Sequence, residues 1–231
     1  MHSNIFEVTN LQSYVEPIYD IYNRAYHNMH HVERMIKMFT LYSNELLEKG
    51  VDMKQLLGDY YPSLMNHSNP GATEMFWFDA MTTAIYFHDC VQDCCSLQKD
   101  TEEIGHNERE SAEEAVKYLK SNGVSADQIA FIKHLILSTQ EGAVLTNDSE
   151  RFLHDLDWSY FNCYQDLCEA ESLIIEESVG VGYLRAEVID ARIDFYKAYL
   201  DKPIFTHIFK QYDDRAHKLL VKRIQILESE V

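Results

Sequence analysis

An apolar run that ends in a histidine and an aspartate, AIYFHDCVQD at positions 84–93, restricts the possible folds of this chain more than any other stretch. Ala84, Ile85, Tyr86 and Phe87 have the character of a helix bound for the interior, and such a helix carries His88 and Asp89 inward with it. A buried imidazole beside a buried carboxylate is costly to leave unpaired, because both lose their hydration. A bound cation is one of the few partners that satisfies the two together. The dipeptide gains meaning only if the rest of the chain supplies further ligands.

The surrounding sequence reads as helix. Glycine (8) and proline (4) are scarce among 231 residues, which disfavours a turn-rich β architecture. Residues 9–26 place Leu11, Tyr14, Val15, Ile18, Tyr22 and Tyr26 at helical spacing, with Thr9 as a cap and Pro17 as a kink or late start. Residues 29–49 put Val32, Met35, Ile36, Phe39, Tyr42 and Leu46 on one face and stop at Gly50. The clearest loop is 58–73, ahead of a helix at 74–91, and 98–107 is polar and loop-like. Helices start again at Asn107, at a capping box over Ser125–Gln128, and at Asn147–Ser149. The tail from 165 to 231 is helical apart from breaks at 180–182 and at Pro203. No stretch alternates as a strand does, so the expected class is all-α.

Charge and cysteine content narrow the function. With 38 acidic against 20 basic side chains, the formal charge of −18 argues against duplex nucleic acid as a partner, since a basic face supplies most of that affinity. Small anions stay open as substrates, because a metal ion can provide local positive charge. Five cysteines, with Cys94 and Cys95 adjacent, read as free thiols rather than a disulfide framework, and no CxxC pair supports a zinc site built on Cys90, Cys94 or Cys95. No apolar run reaches the length of a membrane span and the first ten residues lack a signal-peptide pattern, so a cytoplasmic location without membrane contact is expected.

Two other stretches offer ligands. In AYHNMHHVERMI, His31 shares a helical stripe with Met35 and Phe39 and points inward, either as a hydrogen-bonded core histidine or as a ligand. In FLHDLDWSYF, Asp155 and Asp157 lie about 200° apart around a helix, so only one of them can face a given ion.

In order along the chain, RAYHNMHHV (24–32), YFHDCVQD (86–93), NERESA (107–112) and HDLDWSYF (154–161) resemble the HD superfamily of metal-dependent phosphohydrolases, whose signature is H…HD…D. The closer likeness is to its bacterial branch with R-x-YHN-x-x-HI, FHD-x-V-x-D, NEE-x-SA and D-x-DL, and YLRAE, KPIF and DRAHKLL are similar to that branch's C-terminal helices. The resemblance implies one HD-type helical domain over 1–231, with a loop insertion near 58–73 and a helical extension over about 180–231. It implies His31, His88, Asp89 and Asp157 as ligands of one divalent transition metal ion, with Asp155 as the alternative distal acid. Two imidazoles and two carboxylates suit Mn, Fe, Co, Ni or Zn better than Ca.

The implied activity is hydrolysis of a small phosphate ester, a nucleotide foremost, by a metal-activated water. Asp93 and Glu108 are the catalytic candidates, and Arg24, His27 and Arg185 the substrate-binding ones. The branch commonly has T-x-x-H where this chain has Thr139-Gln140-Glu141-Gly142, and Gln92 stands where some HD enzymes have glutamate. Those departures favour a second reading, a metal- or nucleotide-binding module without turnover. Di-iron oxygenase chemistry is a third, which would draw on His27, His30 and His106.

Overall fold

A computed structural model describes residues 8–21, 24–48, 50, 52–66, 68–92 and 105–230. Asp93, Cys94, Cys95, Tyr22, the segment 98–104 and the Thr9 side chain lie outside the described residues. Every regular element among those described is helical. In chain order these are α1 (Val8–Tyr19), α2 (Met29–Glu48), α3 (Met53–Leu57), α4 (Tyr61–Leu64), α5 (Pro70–Phe87), α6 (His106–Ser121), α7 (Ala126–Leu137), α8 (Asp148–Asp157), α9 (Tyr164–Gly180), α10 (Arg185–Ala198) and α11 (Asp213–Glu228). Short 3-10 turns fill Gly58–Tyr60, Trp158–Asn162 and Lys210–Tyr212.

The central element is α5. Phe76, Trp77, Ala80, Met81, Ala84, Ile85 and Phe87 are buried around its circumference, and α1, α2, α6, α7 and α8 pack against it. An all-round apolar helix is stable in water only when other helices cover it on every side. Its Trp77 indole donates to Ser149 Oγ at 2.8 Å, and that hydroxyl donates to the Leu56 carbonyl at 2.7 Å. The helix thus carries few polar atoms into its core, and those it carries are satisfied, until its last turn delivers His88 and Asp89.

A second apolar cluster joins the 158–162 turn to α9, α10 and α11 through Trp158, Phe161, Tyr196, Phe205, Phe209 and Leu220. Met38, Tyr42 and Ile208 pack against both clusters, so α2 runs along the seam between them.

Three boundaries differ from the sequence reading. The first helix ends at Tyr19 rather than 26, and Arg24–Asn28 form a bound turn instead. The stretch 58–73 is only partly loop: it holds a 3-10 turn and α4, and α5 begins inside it at Pro70. Its Pro62 and Pro70 sit in first turns, where a missing N–H costs nothing, so residues that suggested a loop are helix starts. Gly58 ends α3 at φ +54°, and a Cβ there would stand 3.0 Å from Asn147 Cβ. The core helix consequently spans 70–87 rather than 74–91. Of the expected caps, the two that fall on described side chains are present, with Ser125 and Gln128 forming a capping box and Asn147 Oδ1 accepting from Glu150 N at 3.0 Å.

Candidate metal centre

Four side chains from three helices converge at the end of α5. One donor atom each from His31, His88, Asp89 and Asp157 lies within 4.8 Å of all the others. His31 Nε2 is 3.3 Å from His88 Nε2 and 3.2 Å from Asp157 Oδ1, and His88 Nε2 is 2.9 Å from Asp89 Oδ2. The other two histidine–carboxylate pairs, His31–Asp89 and His88–Asp157, are each 3.8 Å apart. Ligands about 2.1 Å from a common ion stand about 3.0 Å apart at right angles and about 3.4 Å apart at a tetrahedral angle. The observed spacings are of that size.

Local structure explains how each side chain arrives. Asn28 Oδ1 accepts from the backbone N–H of His30 at 2.9 Å and His31 at 3.3 Å, starting α2 so that His31 falls on its buried face. His88 Nδ1 donates to the Ile85 carbonyl at 2.8 Å, which leaves Nε2 directed at the cluster. Arg24 clamps the turn from behind, with Nη1 donating to the Asp89 carbonyl at 2.7 Å and Nη2 to the Cys90 carbonyl at 3.1 Å. Ser111 of α6 hydrogen-bonds the backbone of Val91, and Asn107 donates to Gln92 at 2.9 Å. The HD turn is therefore held from both sides. Both histidines are buried, whereas the two carboxylates keep about a fifth of their side-chain surface exposed, so the open side of the cluster is the carboxylate side.

The electrostatics are those of a site short of positive charge. Burial pushes His88 down, yet Asp89 and Asp157 outweigh it and hold its pKa well above the usual range. Burial alone would raise the Asp89 carboxyl, but the facing histidines, His88 foremost, bring it down to about 2. Asp157 is likewise lowered by its contacts with His31 and His88 against the opposing effect of burial. For His31 burial dominates and its pKa falls. A proton on His88 can satisfy only one or two of these contacts. A divalent ion could be held by all four donors together.

Asp155 is elsewhere. Fully buried, it accepts backbone N–H bonds from Thr206 (2.8 Å), His207 (2.8 Å) and Phe209 (3.0 Å), pinning the 204–209 loop. Glu108 is near the cluster: burial first, and then the charges of Asp89 and Asp157, raise its carboxyl pKa. His27 is held at Nδ1 by Glu177 Oε1 at 2.6 Å, and Asp89 and Asp157 both act on its charge. Arg185 is exposed in the first turn of α10. His30 is exposed, and Cys90, Cys163 and Cys168 are free thiols.

Some residues near the site carried no individual signal in the sequence. Glu177 takes the His27 ring and also the N–H groups of Tyr26 (2.8 Å) and His27 (3.0 Å), from 150 positions further along the chain. Tyr26 lays its ring 4.9 Å from that of His31, and its buried hydroxyl has no hydrogen-bond partner among the described residues. Arg34 donates to Ser159 Oγ at 3.1 Å, two residues past Asp157. Its place three residues after His31, on the same helix face, is the one signal that could have found it.

Among the described residues no helix is long and apolar enough to cross a membrane. Compared with known protein families, with characterised proteins and with solved structures, the chain finds no match.

Proposed function

We propose that this chain is an HD-type, metal-dependent phosphohydrolase acting on a small phosphate ester. The observation that carries the reading is the convergence of His31, His88, Asp89 and Asp157 to within 4.8 Å, in the H…HD…D order. A bound Mn, Fe, Co, Ni or Zn ion would supply Lewis acidity toward a phosphoryl oxygen and a water that ionises near neutral pH. The protein's own residues hold the geometry around it. Arg24 fixes the backbone that presents Asp89, and Ile85 fixes the His88 tautomer. Glu177 orients His27 so that its Nε2 is available to a substrate oxygen. Glu108, whose pKa burial and the charges of Asp89 and Asp157 raise, is suited to exchange a proton with water or a leaving group.

One observation favours a second reading, a metal-binding module without turnover. Gly142 has φ +78°, no atom of the described residues lies within 4 Å of where its Cβ would stand, and it occupies the place where the resemblance leads one to expect histidine. Elemental analysis of the purified chain, followed by a screen of nucleotides and phosphomonoesters with several divalent ions, separates the two. The phosphohydrolase reading expects metal-dependent release of phosphate that Asp89→Ala abolishes. Silence across the panel at confirmed metal occupancy selects the binding module.

A further inference from the structure

α9 and α10 pack against each other, yet a cavity of about 720 Å³ remains between them and the turn at Glu141. Side-chain length explains the gap. Val188, Ala191, Phe195 and Ala198 recur at the spacing of one face of α10, and Ile174 and Ser178 stand one turn apart on α9. Alanine at 191 and 198 and serine at 178 are too short to fill the space that their larger neighbours hold open. None of the residues lining it belongs to the cluster of His31, His88, Asp89 and Asp157. A volume of that size is the size of a small-molecule site.

The lining has two chemical zones. The inner wall is apolar and fixed: Val188 is buried, and the Phe195 ring is packed 5.6 Å from that of Trp158 and 5.1 Å from that of Tyr199. Arg192, the one basic residue in the lining, is tied into the protein, where its Nη2 donates to Tyr196 Oη at 3.1 Å. Tyr196 Oη in turn donates to the buried Glu171 at 2.9 Å. The outer zone is acidic, formed by the exposed residues Glu141, Glu187, Asp190 and Asp194. Among the described residues none of these four carboxylates has a cationic partner within 4.0 Å. Lys197, one turn beyond Asp194, pairs instead with Glu228 at 2.6 Å. An apolar wall below four uncompensated carboxylates complements a ligand with an apolar body and a positive end, and repels anions.

We propose that this cavity binds an organic amine, its apolar body against Ile174, Val188 and Phe195 and its ammonium group among Glu141, Glu187, Asp190 and Asp194. Such a site is independent of any reaction at the metal centre.

Calorimetric titration of the full chain at about 0.15 M salt tests it with ligands of one shape and different charge: tryptamine, its alcohol tryptophol, and the acid indolepropionate. Tryptamine binds at least about fivefold more tightly than the alcohol, and the acid binds more weakly than either. Asp190→Asn together with Asp194→Asn weakens tryptamine about five- to tenfold, within the range of two exposed ion pairs, and leaves the alcohol unchanged. Ala191→Leu fills the cavity and weakens amine and alcohol alike. Removing the same two charges elsewhere on the surface, in Glu74→Gln with Asp127→Asn, leaves all three affinities as they were. Circular dichroism checks that each variant folds; the exposed Asp190 and Asp194 changes carry the test should Ala191→Leu unfold. Absence of tryptamine binding, or equal affinity for the three ligands, overturns the proposal. Equal losses in the two charge-removal pairs overturn it as well, since they would mark attraction by the overall charge of −18 alone. Folded Asp89→Ala keeps tryptamine binding whether or not the wild type turns over phosphate esters; loss of binding there would put the amine at the metal centre and sink the separate site.

Discussion

Asp155 and Asp157 leave the last turn of α8 in different directions, and the two regions they enter treat a carboxylate in opposite ways. Around Asp155 every acceptor has its donor: three backbone N–H groups of the 204–209 loop, and the Thr206 hydroxyl, meet its two oxygens. Glu171 is similar, fully buried and bonded by Tyr196 Oη at 2.9 Å, Arg223 Nε at 2.8 Å and Arg223 Nη2. Around Asp157 the neighbours are instead two histidines and a second aspartate, groups that compete for the same proton. A buried acid with its hydrogen bonds complete is part of the scaffold. Two imidazoles and two carboxylates turned toward one another are a group that could also be satisfied together by a cation.

The contrast is sharpest in stability. Asp155→Ala should cost about 3–5 kcal/mol, since it strands several buried N–H groups and frees the 204–209 loop; urea unfolding measures it. A loss under about 1 kcal/mol, the worth of a single ordinary hydrogen bond, would mean that the loop holds itself.

Metal response reverses the roles. Adding Mn or Zn at about 100 times its Kd should stabilise the wild type by about 2.7 kcal/mol, seen as a rise in Tm. Asp157→Ala and Asp89→Ala should lose that rise, while Asp155→Asn, if folded, keeps it. A response that survives in Asp157→Ala and vanishes in Asp155→Asn would exchange the two assignments.

A smaller effect tests whether satisfied acids behave as scaffold under titration. Glu150, fully buried, takes Thr146 N at 2.5 Å and His134 Nε2 at 2.7 Å, and the Asn147 amide as well. Its hydrogen bond to Glu150 raises the His134 pKa. Burial would raise Glu150, but the His134 and Thr146 bonds lower it. The His134 contribution is therefore complete below its unfolded value near pH 6.5 and fades as pH rises through the raised folded value. The Glu150 contribution is complete above about pH 4.5 and fades as pH falls through its lowered value. The stability gap between wild type and His134→Ala should be about 1 kcal/mol, discounted for the exposed imidazole, and widest between about pH 4.5 and 6.5. A gap that grows toward pH 8 contradicts the pairing.

The least effect is expected at Ser125, whose capping box lies exposed at the start of α7. Ser125→Ala should cost about 0.5–1 kcal/mol and leave the metal response untouched, a baseline for both regions.

Much of this was legible in the chain itself. Helical periodicity, the Ser125 and Asn147 caps and the apolar run into His88-Asp89 are local properties, carried by residues within one or two turns of each other. For the same reason His31 could be placed on the buried face of α2 from Met35 and Phe39 alone. The prolines at 62 and 70 misled because proline marks a helix start as readily as a loop, and only the packing of the neighbouring chain distinguishes the two.

Residues alone could show that Asp155 and Asp157 diverge, but not which of them meets the histidines. That depended on the 204–209 loop closing over Asp155 from some 50 positions away. Glu177 behind His27 and the buried Tyr26 hydroxyl, without a hydrogen-bond partner among the described residues, were likewise decided only when α9 packed beside the 158–162 turn and met the Arg24–Asn28 turn. Periodicity reports which face of a helix is buried; which partner a buried polar atom meets there is set by tertiary contact.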